Sequence, residues 1–433
     1  MPEKLSESVP HPMAGDERGA ADSRALQPGH RVQLLKGGTA YFEALIRDFD
    51  RARAEVLLET YIFEFEGAAI GVAEALERAA RRGLTVHVVV DGIGTGQIPA
   101  EWQARWNSAG VQWRVFNPTR GWRVLLPARW RRLHRKLCVV DGTICFCGGI
   151  NILDDYYDPS HGKLAQPRFD FVVRVTGPLV VDAHETMTRL GLRMKAAHDL
   201  RHYDFAAALE GVRKATHAGT DADDSALNAP DLSRASVGPP PLAGLVLRDN
   251  FRFRKRIEHF YRYAIGQARH EIVIANAYFV PGVALQRGLL NAARRGVKVT
   301  LLLQGRYEYF MQHHTSRAMY GVMLDAGIEI IEYAPSFLHA KVAVFDSDLG
   351  SIATVGSSNL DPLSLLLARE ANVFVRDERF AAELRSHLLD AVKSGGKRVE
   401  KSAYSKRPFV QRSLAWVAYA AMRIALFATR HRY

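Results

Sequence analysis

Two stretches of this 433-residue chain carry side chains able to do covalent chemistry, and they carry them at one spacing. In LHRKLCVVDGTICFCGGIN, residues 133–151, His134 and Lys136 are followed by Asp141, then by Gly148-Gly149 and Asn151. In FLHAKVAVFDSDLGSIATVGSSNLD, residues 337–361, His339 and Lys341 are followed by Asp346, then by Gly356-Ser357 and Asn359. Composition alone would produce H-x-K-x4-D about 0.03 times in the chain, so two copies at equivalent places are not accidental. An imidazole serves as nucleophile, acid or base near neutral pH. Residues two apart on a strand leave the same face, so each His-Lys pair can meet one anionic group such as a phosphate, with Arg135 pointing away.

The elements around these stretches also repeat. AEVLLETYIFEFEG, IGVAEALERAARRG and LTVHVVVDG read as strand, amphipathic helix and strand. HEIVIANAYFVPG, VALQRGLLNAARRG and VKVTLLLQG repeat that order, with Gly83 and Gly296 at the helix ends. Two such units predict a duplicated α/β fold, each half a mixed sheet flanked by helices. We divide the chain into a disordered leader (1–30), a first lobe (31–214), a linker or mobile loop (215–241), a second lobe (242–394) and a basic amphipathic tail (395–433). The segment 180–214 has helical spacing and is expected to close the first lobe.

On the doubled motif, together with HRVQLLKGGTAYFEALIRDFDRARAEVLLETYIFEFE and GSSNLD, the chain resembles the phospholipase D superfamily over residues 30–390, and within it the bacterial cardiolipin synthases of the B type. The resemblance implies two similar α/β/α lobes with one active site between them. It assigns His134 as the nucleophile that forms a phosphohistidine and His339 as the acid, then base. Lys136 and Lys341, with Asn151 and Asn359, would hold the phosphate oxygens, relieving the repulsion that makes a phosphodiester a poor electrophile. Asp141 and Asp346 belong to the motif, but they follow strands and are better placed to hold its backbone and lysines than to touch substrate. Asp170 in RFDFVVRVTGP and Glu370 in LLLAREANVFVRD match the family's acids that orient the histidines. The resemblance further implies transfer of a phosphatidyl group from one phosphatidylglycerol to a second, with release of glycerol.

No cofactor or metal is called for: no H-E-x-x-H or acidic loop appears, and Cys138, Cys145 and Cys147 read as buried hydrophobes because no further Cys or Cys/His pair completes a ligand set. Three cysteines provide no disulfide framework and suit a reducing compartment. DGIGTGQ mimics a dinucleotide-binding turn, but Gln97-Ile98-Pro99 stands where a helix should begin, so it is taken as a loop at the substrate mouth.

The formal charge of +12 favours an anionic partner. From Trp113 to Lys136, cations interleave with Trp113, Phe116, Trp122 and Trp130, a pattern suited to a lipid headgroup layer and also to base stacking. The tail after residue 406 reads as a basic interfacial helix, broken by Arg423 before it could span a bilayer. The expected partners are an anionic phospholipid membrane and phosphatidylglycerol, with no nucleic acid, and the expected location is the cytoplasmic side of a bacterial inner membrane, bound peripherally. The rivals are a metal-independent nuclease, a hydrolytic phospholipase, and a catalytically silent module that binds membrane or nucleic acid.

Overall fold

The structure is a computed structural model that describes residues 26–118, 131–158, 161–201, 240–249, 253, 255–307, 310–361, 368–405, 417 and 420. Most of the expected leader, linker and tail, and the centre of the basic Trp segment, lie outside the described residues.

The first lobe runs β1 (Arg31–Lys36), α1 (Gly37–Arg51), β2 (Glu55–Thr60), α2 (Ala69–Arg81), β3 (Thr85–Asp91), α3 (Ala100–Ala109), β4 (Gln112–Phe116), β5 (Arg132–Leu133), β6 (Lys136–Val140), β7 (Ile144–Gly148), the short pair β8 (Tyr157–Asp158) and β9 (Gly162–Lys163), β10 (Phe171–Thr176) and α4 (Leu179–Arg201). The second runs β11 (Leu242–Arg248), α5 (Arg256–Gln267), β12 (Glu271–Asn276), α6 (Val283–Arg294), β13 (Lys298–Gln304), α7 (Phe310–Ala318), α8 (Tyr320–Asp325), β14 (Glu329–Tyr333), β15 (Lys341–Phe345), β16 (Ile352–Gly356), β17 (Ala368–Arg376), α9 (Glu378–Gly395), β18 (Gly396–Arg398) and α10 (Lys401–Ser405).

The sheets share one plan. The first is ordered β1-β10-β7-β6-β2-β3-β4 and the second β11-β17-β16-β15-β12-β13-β14, with β18 added at its edge. In each, the strands from the parallel pairs β2-β3-β4 and β12-β13-β14 continue into antiparallel ones at β6 and β15. Parallel neighbours need a crossover, which α2 and α6 supply. Both helices stop where a glycine takes a left-handed conformation, Gly83 at φ 89° and Gly296 at φ 88°. There the Leu84 and Val297 amides reach back to the Ala79 and Ala292 carbonyls at 3.3 and 3.1 Å, which closes the last turn.

Strand alternation assigns each side chain to a layer. Along β6, Leu137 and Val139 enter the core shared by the two lobes, whereas Cys138 and Val140 face the helices of the first lobe. The shared core also takes Cys145 and Cys147 from β7, Val342 and Val344 from β15, and Leu384 and Leu388 from α9. All three cysteines are free and fully buried, and burial pushes the Cys147 thiol up to about 12. Full burial of each aliphatic side chain contributes about 1.5–3 kcal/mol, so this common layer holds the lobes as one body.

Residues 26–30, assigned above to a disordered leader, are built into the fold. Gln27 exchanges backbone hydrogen bonds with Ala243, Leu26 is buried in the second lobe, and the His30 ring accepts the Leu179 amide at 3.0 Å. The acidic residues and prolines of residues 1–30 favour a disordered segment, but Leu26 has an apolar surface that the second lobe covers.

Candidate active site

Both motifs arrive at the carboxyl ends of the parallel strands, where open α/β sheets leave a crevice. Each is pinned there by the opposite lobe. β5 pairs with β17, and the His134 amide donates to the Arg369 carbonyl at 3.1 Å. Phe169 bridges Leu338, and the His339 amide donates to the Phe169 carbonyl at 3.0 Å. The preceding amides are held within their own lobes: Leu133 donates to Asp91 Oδ2 at 2.8 Å and Leu338 to Gln304 Oε1 at 3.3 Å.

The side chains cross over in the same way. His134 Nδ1 lies 2.9 Å from Glu370 Oε1, and His339 Nδ1 lies 2.7 Å from Asp170 Oδ2. Each histidine is therefore steadied by a carboxyl group of the other lobe, which in its ionised form accepts the Nδ1 proton and leaves Nε2 for a substrate. Lys136 Nζ donates to the His134 carbonyl at 2.7 Å, and Lys341 Nζ donates to the His339 carbonyl. Both lysines are almost completely buried. Arg135 leaves the opposite side of the strand and forms a two-pronged buried pair with Glu59.

Burial and crowding of like charges set the titrations. Burial, reinforced by Lys341, lowers Lys136 to about 7. It pushes Asp170 up to about 7, against the pull of Lys341. Burial, then the ammonium groups of Lys341 and Lys136, holds His339 well below its usual value. Burial also lowers His134, and Glu370 opposes it. Groups from both lobes thus feel one another across a single site, and the free site disfavours an imidazolium on either ring.

A cleft of about 320 Å³ opens beside His339. Tyr61, Asn151, Asp155, Asp158, His161 and Arg168 line it, together with Asp170, Ile93 and Gly94 from the DGIGTGQ loop. Asn151 Oδ1 accepts the Ile62 amide at 3.1 Å; Asn359 is buried, with its side-chain oxygen unpaired among the described residues. Asp141 and Asp346 are not brought to the histidines: they stand at the far ends of β6 and β15, about 16 Å of strand beyond the motif lysines. Asp141, at φ 51°, holds the backbone amides of Arg53, Ala54 and Glu55. Asp346 accepts from the Ser351 hydroxyl at 3.3 Å, and its amide donates to Glu271. The expectation that they also hold the motif lysines is replaced by these contacts, because both ammonium groups fold back on their own histidine carbonyls.

Several neighbours were not legible from the motifs. The Tyr61 ring lies 4.9 Å from that of His134, and Lys136 Nζ stands 5.4 Å over it. The Ser357 hydroxyl donates to Glu370 Oε2. In the first lobe Gly149 takes that place, and a Cβ there would come within 2.4 Å of the Asp170 carboxylate. Among the described residues no group of three or more His, Cys, Asp or Glu side chains is placed to hold a metal ion, and no helix is long and apolar enough to cross a membrane.

Two interlocked α/β lobes that share a site of paired His and Lys define a duplicated phosphodiester-processing scaffold. The family described as "Cardiolipin synthase, PLD-like domain" matches residues 45–161 and 261–391. The chain is 32% identical over 395 residues to cardiolipin synthase B of Escherichia coli K12, covering 91% of this chain and 88% of that protein. It is 28% identical over 397 residues to cardiolipin synthase A of Proteus mirabilis, covering 90% and 75%. The fold is also that of the phosphatidylserine synthase of Haemophilus influenzae, with a TM-score of 0.61 at 11% identity over 94% of this chain and 98% of that one. This chain belongs to the bacterial cardiolipin synthases of the phospholipase D superfamily, a family of phosphatidyltransferases.

Proposed function

We propose that this protein makes cardiolipin by moving a phosphatidyl group from one phosphatidylglycerol to the headgroup hydroxyl of another, through a phosphohistidine on His134. The observation that carries this is the crossed bracing of two His-Lys pairs, with Asp170 and Glu370 each holding the histidine of the opposite lobe. In the first step His134 Nε2 attacks phosphorus, and His339 Nε2 delivers a proton to the departing glycerol oxygen. In the second, His339 takes the proton from the incoming hydroxyl as its oxygen displaces the imidazole. Lys136 and Lys341 face the anionic oxygens throughout. The free site keeps His339 neutral, but a bound phosphodiester brings negative charge that favours its imidazolium, and Asp170 on Nδ1 stabilises that form.

The order of the histidines is supported by an asymmetry. His339 lines the cleft where one alcohol must leave and another arrive, whereas the His134 ring rests against Tyr61. Exchange of one phosphodiester for another is close to thermoneutral, so no nucleotide is consumed. The net charge of +12 and the basic, aromatic segments suit peripheral binding to the anionic cytoplasmic face of a bacterial inner membrane.

Incubation with labelled phosphatidylglycerol vesicles in EDTA should yield cardiolipin and glycerol. Phosphatidic acid as the sole product would make the protein a hydrolase, and cleavage of single-stranded DNA without lipid turnover would make it a nuclease. His134→Ala and His339→Ala should each reduce turnover at least about a thousandfold, some 4 kcal/mol of barrier. Near-normal turnover in either variant would end the two-histidine scheme.

A further inference from the structure

The stretch of sequence from the motif asparagine to the orienting acid is longer in the first lobe, Asn151 to Asp170, than in the second, Asn359 to Glu370. The first-lobe loop supplies most of the polar lining of the cleft beside His339. Its side chains are tied into a fixed array. Asp158 Oδ1 lies 2.9 Å from His161 Nδ1, and Asp158 Oδ2 lies 3.0 Å from Arg168. Arg168 also donates to the carbonyls of Asp154 and Tyr157, at 2.7 and 2.6 Å. Asp155 accepts the Gly38 amide. The loop is moored to the opposite lobe as well: the His161 ring packs 4.9 Å from Phe337, and the Ser336 hydroxyl donates to the Gln166 carbonyl at 2.8 Å.

We propose that this array is the subsite for the alcohol side of the reaction, a small polyol headgroup, and that His161 recognises a second hydroxyl next to the one that reacts. This rests on the transferase reading above. Three features carry it. The cleft opens directly on His339, where the leaving and accepting oxygens must exchange their proton. Among the described residues its lining offers carboxylates, the imidazoles of His161 and His339, an amide and one guanidinium, Arg168, already engaged by Asp158, so it suits a neutral hydroxylated group better than a second phosphate. With Asp158 2.9 Å from Nδ1, the neutral ring that donates to it has Nε2 left to accept from a hydroxyl. In the transfer step the reacting hydroxyl oxygen forms its bond to phosphorus as the bond to His134 breaks. Its proton goes to His339, while the neighbouring hydroxyl stays bonded to His161. A diol is thereby held in register, and a lone hydroxyl is not.

The test uses full-length protein on phosphatidylglycerol vesicles with equal concentrations of deuterated glycerol and 1-propanol, and mass spectrometry of the two phosphatidyl adducts. Wild-type protein should favour the glycerol adduct. His161→Ala should lower the glycerol-to-propanol ratio about tenfold, which corresponds to about 1.4 kcal/mol, and His161→Gln, which keeps an acceptor, should lower it less. A wild-type ratio near one overturns the subsite, and so does an unchanged ratio in His161→Ala, including the case in which both adducts fall together. Wild-type protein that forms neither adduct and no cardiolipin overturns the transferase reading instead.

Discussion

In the first lobe the carboxylate that steadies a motif histidine is a short aspartate lying against bare glycine; in the second it is a longer glutamate held by a serine hydroxyl. Asp170 reaches His339 past Gly149, where a Cβ would collide with its carboxylate. Glu370 reaches His134 with its other oxygen on Ser357. The strand order around them is the same, so one scaffold carries two differently matched pairs of acid and neighbour. A second divergence separates the histidines themselves. A tyrosine backs His134, and a polar cleft built by the longer loop flanks His339. Two similar lobes have in this way become two unlike halves of one site.

The two acids offer the largest test of whether the lobes are equivalent. Asp170→Asn and Glu370→Gln keep shape but present an amide to Nδ1, and each should reduce kcat about a hundredfold, roughly 2.7 kcal/mol, by releasing the tautomer. A loss in only one variant would show that the crossed pairs are not equivalent in function. Mixing the pairs sharpens the point: Gly149→Ser should cost more activity than Ser357→Gly, because the first adds a Cβ where Asp170 already lies.

A smaller effect belongs to pH. Lys136 is lowered to about 7, so in the free enzyme its charge is lost as pH rises through that value. For a soluble diester, kcat/KM should then fall up to about tenfold per unit above pH 7. kcat at saturation should fall less, because the bound anion keeps the ammonium charged. On the acid side both histidines are lowered, so a neutral nucleophile should persist below pH 6.5. A kcat/KM that stays flat to pH 9 would remove Lys136 from the phosphate-binding role. The apparent constants belong to the cluster, since Asp170 also titrates at about 7.

The smallest effects should come from the motif acids, measured as stability by denaturant unfolding. Asp141→Ala strands three backbone amides and places alanine at a positive φ, for a loss of about 2–3 kcal/mol. Asp346→Ala removes one side-chain hydrogen bond, worth about 1 kcal/mol. Equal losses would erase this difference between the lobes.

Periodicity was enough to read the repeated strand-helix-strand units and the helix ends at Gly83 and Gly296, and the doubled motif singles out His134, Lys136, His339 and Lys341. Local chemistry writes such features into neighbouring residues. Residues 26–30 were misassigned because Leu26 is covered only by elements more than two hundred residues away. The loop asymmetry was visible as unequal spacing, Asn151 to Asp170 against Asn359 to Glu370, but its consequence was not, since spacing does not say which histidine a loop will flank.

Residue types and spacing establish that two imidazole-ammonium pairs exist, that each stands at the head of a strand, and that two acids follow them downstream. Which acid meets which ring follows from the packing of the two lobes. His134 and Glu370 are 236 residues apart, and His339 and Asp170 are 169 apart. Such partners meet only because the inner faces of two sheets must bury one common apolar layer, and no local propensity specifies how two buried faces will register.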